Sequence, residues 1–157
     1  MSDKTLMLLA KDVRGKTLRI LDGVTDQQSR YAPPGLQNHI LWHAGHVLVV
    51  VEHTALLPGT DRQAGYPQEW FDKFSWQSHP ATVQYWPKLS DVVAKLADQF
   101  ERLTATIGAL TEQQLAEPTG NKPNSRDLRG SILHGLHDEA NHQGEMWLLK
   151  KMQNKRA

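Results

Sequence analysis

The chain contains no cysteine. That absence excludes disulfides, thiolate metal sites and a catalytic thiol, and leaves only nitrogen and oxygen as metal ligands. Charge of one sign is also lacking: 18 Lys and Arg stand against 17 Asp and Glu, a formal net charge of +1. No general attraction to nucleic acid or to an anionic membrane is expected from such a balance. Long apolar runs are missing too. The longest lies within "HVLVVVEHTALL" and is broken by Glu52 and His53, well short of a membrane span. The opening "MSDKTLMLLAKDVRGK" has too short an apolar stretch for a signal peptide, and a cytoplasmic setting is expected.

What the chain does have is length and histidine. Its 157 residues suffice for one domain with a hydrophobic core, taken as residues 1–157. Of the 8 histidines, His39, His43, His46 and His53 fall in one segment. His134, His137 and His142 fall in another, and His79 stands alone.

Apolar spacing of three and four residues predicts four helices. The first covers roughly residues 3–22, with Leu6, Leu9, Val13, Ile20 and Leu21 on one side. The second is "NHILWHAGHVLVVVEHTALLPG", with Asn38 as its cap and Pro58-Gly59 as its stop. The third carries Leu89, Val92, Val93, Leu96, Phe100, Leu103 and Ile107. The fourth starts near Ser125, a possible cap, and reaches about Met152. No convincing strand is present. "YAPPG" and "EPTGNKPNS" mark joints. The connection from Pro58 to Pro87 is longer and holds Trp70, Phe71, Phe74, Trp76, Tyr85 and Trp86. A connection of that length and content predicts a folded flap, either over a pocket or as ordinary core. A short repeat, "LDGVTDQQ" and "IGALTEQQ", predicts an N-capped turn after the first and third helices and hints at two similar halves.

On a helical wheel of about 100° per residue, His39, His43, His46 and His53 fall within about 80°. On the fourth helix His134, Asp138 and His142 are spaced i, i+4, i+8. Glu145 lies on their side, His137 flanks them and Glu139 points away. Side chains at i, i+4 can grip one ion, and a facing helix can complete the set. Two imidazoles and a carboxylate suit a divalent transition ion with open positions. The plainer reading is that these histidines pack or sit in solvent.

"NHILWHAGHVLVVVEH" and "DEANHQGEMWLL" resemble the second-helix and final-helix motifs of the DinB-like superfamily, with its YfiT-like and thiol-transferase relatives. "YPQEWFDKFSWQSHPATVQYWPKLSDVVAKL" is similar to that family's lid and third helix. The resemblance implies an all-α four-helix bundle in up-down-down-up order, with a long aromatic crossover between helices two and three, often dimeric. It maps the family's ligand histidines onto His46 and His142. Asp138 stands where the family usually has His, so the third ligand is Asp138 first, with His134 or Glu139 behind it. The implied cofactors are zinc, nickel, iron or manganese, and a low-molecular-weight thiol.

Three functions compete. One is a metal-dependent enzyme on a small molecule, of thiol S-transferase type. Another is a metal-dependent hydrolase with Glu145 or Glu139 as general base. The last is a non-catalytic, stress-linked dimeric module with a vestigial metal site. A homodimer is expected because the second helix is apolar nearly all round, which calls for a covering partner unless the flap covers it.

Overall fold

The structure is a computed structural model that describes residues 3–122 and 124–154. Its long helices are α1 (Lys4–Leu21), α3 (Ile40–Val51), α5 (Leu89–Ala109) and α7 (Leu128–Asn154). Three short ones, α2 (Asp26–Ser29), α4 (Glu69–Phe74) and α6 (Glu112–Leu115), lie in the connections. Among the described residues the regular structure is otherwise a π-helical turn at Glu52–Leu56, a 3₁₀ turn at Pro80–Thr82 and one isolated bridge between Pro118 and Asp127.

The ends of these helices follow local chemistry. Asp3 caps α1 by accepting a hydrogen bond from the Leu6 amide at 3.0 Å. The repeated Thr-acidic-Gln-Gln stretch forms the same device twice. Thr25 and Gln28 make a complete capping box at α2, and Thr111 and Gln114 make one at α6. Two expected caps are displaced. The second helix is capped by His39, not Asn38: its Nδ1 accepts from the Trp42 amide at 3.1 Å. The fourth begins after Asp127, whose Oδ1 accepts from the Gly130 amide at 2.7 Å. Ser125 instead closes a turn by accepting from the Lys122 amide.

α3 packs against α7, α5 and α4, and α1 packs against α7 and α5. Two apolar clusters divide the core. One joins Leu21, the first three turns of α3, Trp70, Phe74, Leu89, Leu96, Met146 and Leu149. The other joins Leu6, Ala10, Val13, Val51, Leu103, Ile107, Ile132 and Leu136. The inward face of α1 therefore reads Leu6, Ala10, Val13, Leu21, and the expected Leu9 is 38% exposed.

Between the clusters lies a buried polar layer. Arg14 Nε and Nη2 donate to the two Glu139 oxygens at 2.8 and 3.0 Å. Thr17 Oγ1 donates to Glu139 Oε1 at 2.6 Å. Arg14 also donates to Leu96 O and Gln99 Oε1. Gln99 Nε2 donates to Glu52 Oε2 at 2.6 Å, and Arg102 holds Glu52 from the other side at 2.8 and 3.0 Å. Every long helix contributes to this chain, directly or through the π turn.

All twelve residues of α3 are buried within the single chain. The apolar surface expected to need a partner is covered from inside. Tyr66, Trp70 and Phe74 pack in one cluster with Val47, Leu48 and Val49. α5, α7 and the flap together cover this helix within one chain.

Candidate metal centre

The site begins with a helix whose backbone is closely approached. A Cβ built on Gly45 would lie 2.3 Å from the Phe74 ring. Glycine there lets the end of α4 reach α3 and bring the Phe74 carbonyl to His46 Nδ1 at 2.7 Å. A carbonyl only accepts, so Nδ1 carries the proton, and in the neutral ring the Nε2 lone pair is free to bind a metal. Trp42, one turn earlier, stacks on the same imidazole with centroids 4.6 Å apart and planes 17° apart. The Trp42 Nε1 is itself tied to Ser78 Oγ at 2.8 Å. Burial pushes the His46 pKa down, which favours the neutral ring.

α7 supplies the opposing side. The His142 ring lies 4.7 Å from that of His46. Asp138 Oδ2 is 3.7 Å from His46 Nε2 and 3.5 Å from His142 Nε2. Both distances are too long for good hydrogen bonds, and this oxygen is buried with no hydrogen-bond partner. Ligand atoms bound tetrahedrally at about 2.1 Å stand about 3.4 Å apart. The three donors fit such an ion, and His46, Asp138 and His142 lie together as a group of that size.

His43 adjoins them. Its Nδ1 is 2.9 Å from His142 Nδ1 and 2.9 Å from Glu145 Oε2. Glu145 Oε2 also stands 3.3 Å from His142 Nδ1. Burial, with the nearby imidazoles, pushes His43 down to about 3. A cavity of about 380 Å³ reaches this point, walled by Leu36, Leu148 and Leu149 and edged by His43 and Glu145.

The other expected residues go elsewhere. Glu139, a reserve ligand and a possible general base, is fully buried and held by Arg14 and Thr17. His134, the other reserve, and His137 are exposed on α7. The wheel arc of four histidines splits into three environments. His39 is a cap packed edge-on to Trp86. His43 and His46 form the site. His53 falls in the π turn, bonds Tyr66 Oη at 2.9 Å and sits among Phe71 and Trp76. It borders a separate cavity of about 520 Å³. The flap touches the His46 side of the candidate site through the Phe74 carbonyl and the Ser78 hydroxyl. Trp70 is core, and Trp76 is 57% exposed beside His53. The Phe74 carbonyl had no signal in the side-chain pattern. The Trp42–His46 spacing did.

The DinB superfamily profile matches residues 9–146, and the chain belongs to that superfamily. A solved structure of a conserved protein from Enterococcus faecalis is similar in fold. Its TM-score is 0.71 over 96% of both chains, at 13% sequence identity. No curated protein matches the chain. Among the described residues no helix is long and apolar enough to cross a membrane.

Proposed function

We propose that the protein is a divalent-metal-dependent enzyme acting on a small molecule, of thiol S-transferase-like type. His46 Nε2, Asp138 Oδ2 and His142 Nε2 are its metal ligands. The observation that carries this reading is the Asp138 oxygen, buried without a hydrogen-bond partner and facing two imidazole nitrogens. Two nitrogens and one oxygen suit zinc, nickel, iron or manganese. A bound ion supplies Lewis acidity, which makes a nucleophile available near neutral pH. The chain's own part is to fix the donors and shape the cavity. Phe74 and Trp42 hold the His46 ring, and Leu36, Leu148 and Leu149 offer an apolar wall to an electrophile. The thiol comes from a low-molecular-weight cofactor, because the chain has none.

The proposed architecture is the up-down-down-up four-helix bundle with its aromatic crossover. It is supported by the cluster that gathers the C-terminal ends of α1 and α7 with the first three turns of α3 and the N-terminal half of α5. A cytoplasmic homodimer belongs to the same reading. The apolar side chains free to form a dimer are Trp147, Leu148 and Met152, and light scattering at micromolar concentration tests it.

Metal analysis of protein purified without a histidine tag is the first experiment. At least one ion per chain is expected, with one lost in Asp138→Ala. Turnover of an electrophile only with added thiol supports the transferase. Turnover without thiol favours a hydrolase, for which Glu145 at the cavity edge is the available base. Protein that takes up no metal points to the non-catalytic module.

A further inference from the structure

We propose that His43, His142 and Glu145 hold a second divalent cation, so that the His142 ring is shared between two ions. His142 presents one nitrogen to each group. Its Nε2 faces Asp138, and its Nδ1 faces His43 and Glu145. The second triangle is tight: its sides are 2.9, 2.9 and 3.3 Å. A divalent ion with bonds of about 2.1 Å has ligand atoms about 3.0–3.4 Å apart, octahedral to tetrahedral. The triangle therefore matches one face of a coordination polyhedron, and the three donors form a metal-sized group of their own.

Hydrogen bonding alone serves this triangle poorly once the first ion is bound. His142 with a metal on Nε2 keeps its proton on Nδ1. If that proton goes to His43 Nδ1, the His43 lone pair points at the Glu145 carboxylate 2.9 Å away. If both rings donate to Glu145, two N–H groups stand only 2.9 Å apart. A cation above the triangle removes both conflicts. The His142 Nδ1 proton leaves to solvent as the ion binds, and the ring bridges as imidazolate. The remaining positions of that ion open towards the cavity of about 380 Å³ edged by His43 and Glu145. The second ion is thus the one nearer to any molecule in that cavity. The inference depends on the first metal reading through His142 alone.

The test is zinc uptake by the intact chain in equilibrium dialysis, with zinc alone as the probe. Two zinc ions per chain are expected. Glu145→Gln and His43→Ala should each retain one, with the second weakened at least about tenfold, since even outer partners of a metal site cost that much. Glu145 is 58% exposed on its side chain, so Glu145→Gln keeps the fold, whereas His43→Ala empties a buried position. Asp138→Ala should lose the other ion. Copper loaded into one position should show an altered electron paramagnetic resonance spectrum when zinc fills the other. One zinc per chain, lost in Asp138→Ala and kept in Glu145→Gln, overturns the second ion and leaves the first reading standing. One zinc that Glu145→Gln removes and Asp138→Ala keeps overturns the first reading, and with it the sharing of His142 between two ions. No uptake overturns both.

Discussion

Asp138 and Glu139 are neighbours in the chain, and their carboxylates meet opposite fates. Glu139 points into the polar layer, where Arg14 and Thr17 satisfy it. Asp138 points at two imidazoles and leaves a buried oxygen with no hydrogen-bond partner. The Arg14–Glu139 cluster is fully buried and the Asp138 cluster partly so, and both cross from α7 to other helices. One is closed by protein donors alone. The other gathers acceptors: the His46 Nε2 lone pair, the Asp138 carboxylate and His142. A closed network specifies packing. A cluster of acceptors calls for something positive from outside.

The largest effect should come from breaking the closed cluster. Glu139→Ala leaves the Arg14 guanidinium buried and unpaired, at a cost of about 3–5 kcal/mol. Urea unfolding would measure it. Replacing the pair together, by Arg14→Met with Glu139→Leu, should restore much of that loss, because apolar groups of similar volume can replace a buried pair. If the double variant is as weak as the single one, the layer matters for more than pairing.

Gly45→Ala comes next. Its methyl would meet the Phe74 ring at 2.3 Å, and overpacking of this kind costs about 1–3 kcal/mol. The Phe74 carbonyl should shift from His46, and metal uptake should weaken about 10–100-fold, as for other outer partners. Unchanged uptake in a destabilised variant would show that the carbonyl does not orient the ring.

Asp138→Ala sharpens the contrast with its neighbour. Removing an unpaired buried acceptor should change metal-free stability by no more than about 1 kcal/mol, while the ion that Asp138 binds is lost. Melting curves with and without chelator, beside metal analysis, separate the two. A metal-free loss as large as that of Glu139→Ala would sink the comparison.

The smallest effect concerns the His39 cap. Burial and the nearby Arg30 guanidinium push its ring down from 6.5 to about 4. Between those values the unfolded chain binds more protons than the native one. Stability held above about pH 6.5 therefore declines as pH falls towards about 4. Protonated Nδ1 can no longer accept from the Trp42 amide. His39→Asn keeps a capping oxygen and does not titrate, so its stability should fall less steeply over that range. Equal slopes would remove His39 from the acid response.

The four helices, the two Thr-initiated turns and the pair His46–His142 were legible in the sequence, because periodicity and capping act over a few residues. So was Asp138, through its i, i+4 spacing to His142. Other features depend on contacts distant in the chain. Arg14 and Glu139 are 125 residues apart, and nothing local marks either as buried. Leu9 was placed inward by spacing that Ala10 satisfies instead. The flap's Trp70 and Trp76 read alike, yet one is core and the other borders His53. The wheel assumed a uniform 3.6-residue turn through His53, and the π turn begins at Glu52.

That π turn works as a phase joint. The Leu57 amide reaches back five residues to the Glu52 carbonyl at 3.0 Å, so the helix carries an extra residue there. Downstream, Ser131 donates to the Thr54 carbonyl at 2.7 Å, and Gly135 leaves room for the Thr54 hydroxyl. Deleting one residue between 52 and 56 would alter no ligand. It would turn the helix after the deletion by about 100° and uncouple α7 from α3 at this level. Length is thus a quantity the chain must conserve here, independently of composition. Insertions and deletions that the surface turns tolerate would act in this stretch as rotations of the last helical turn against α7.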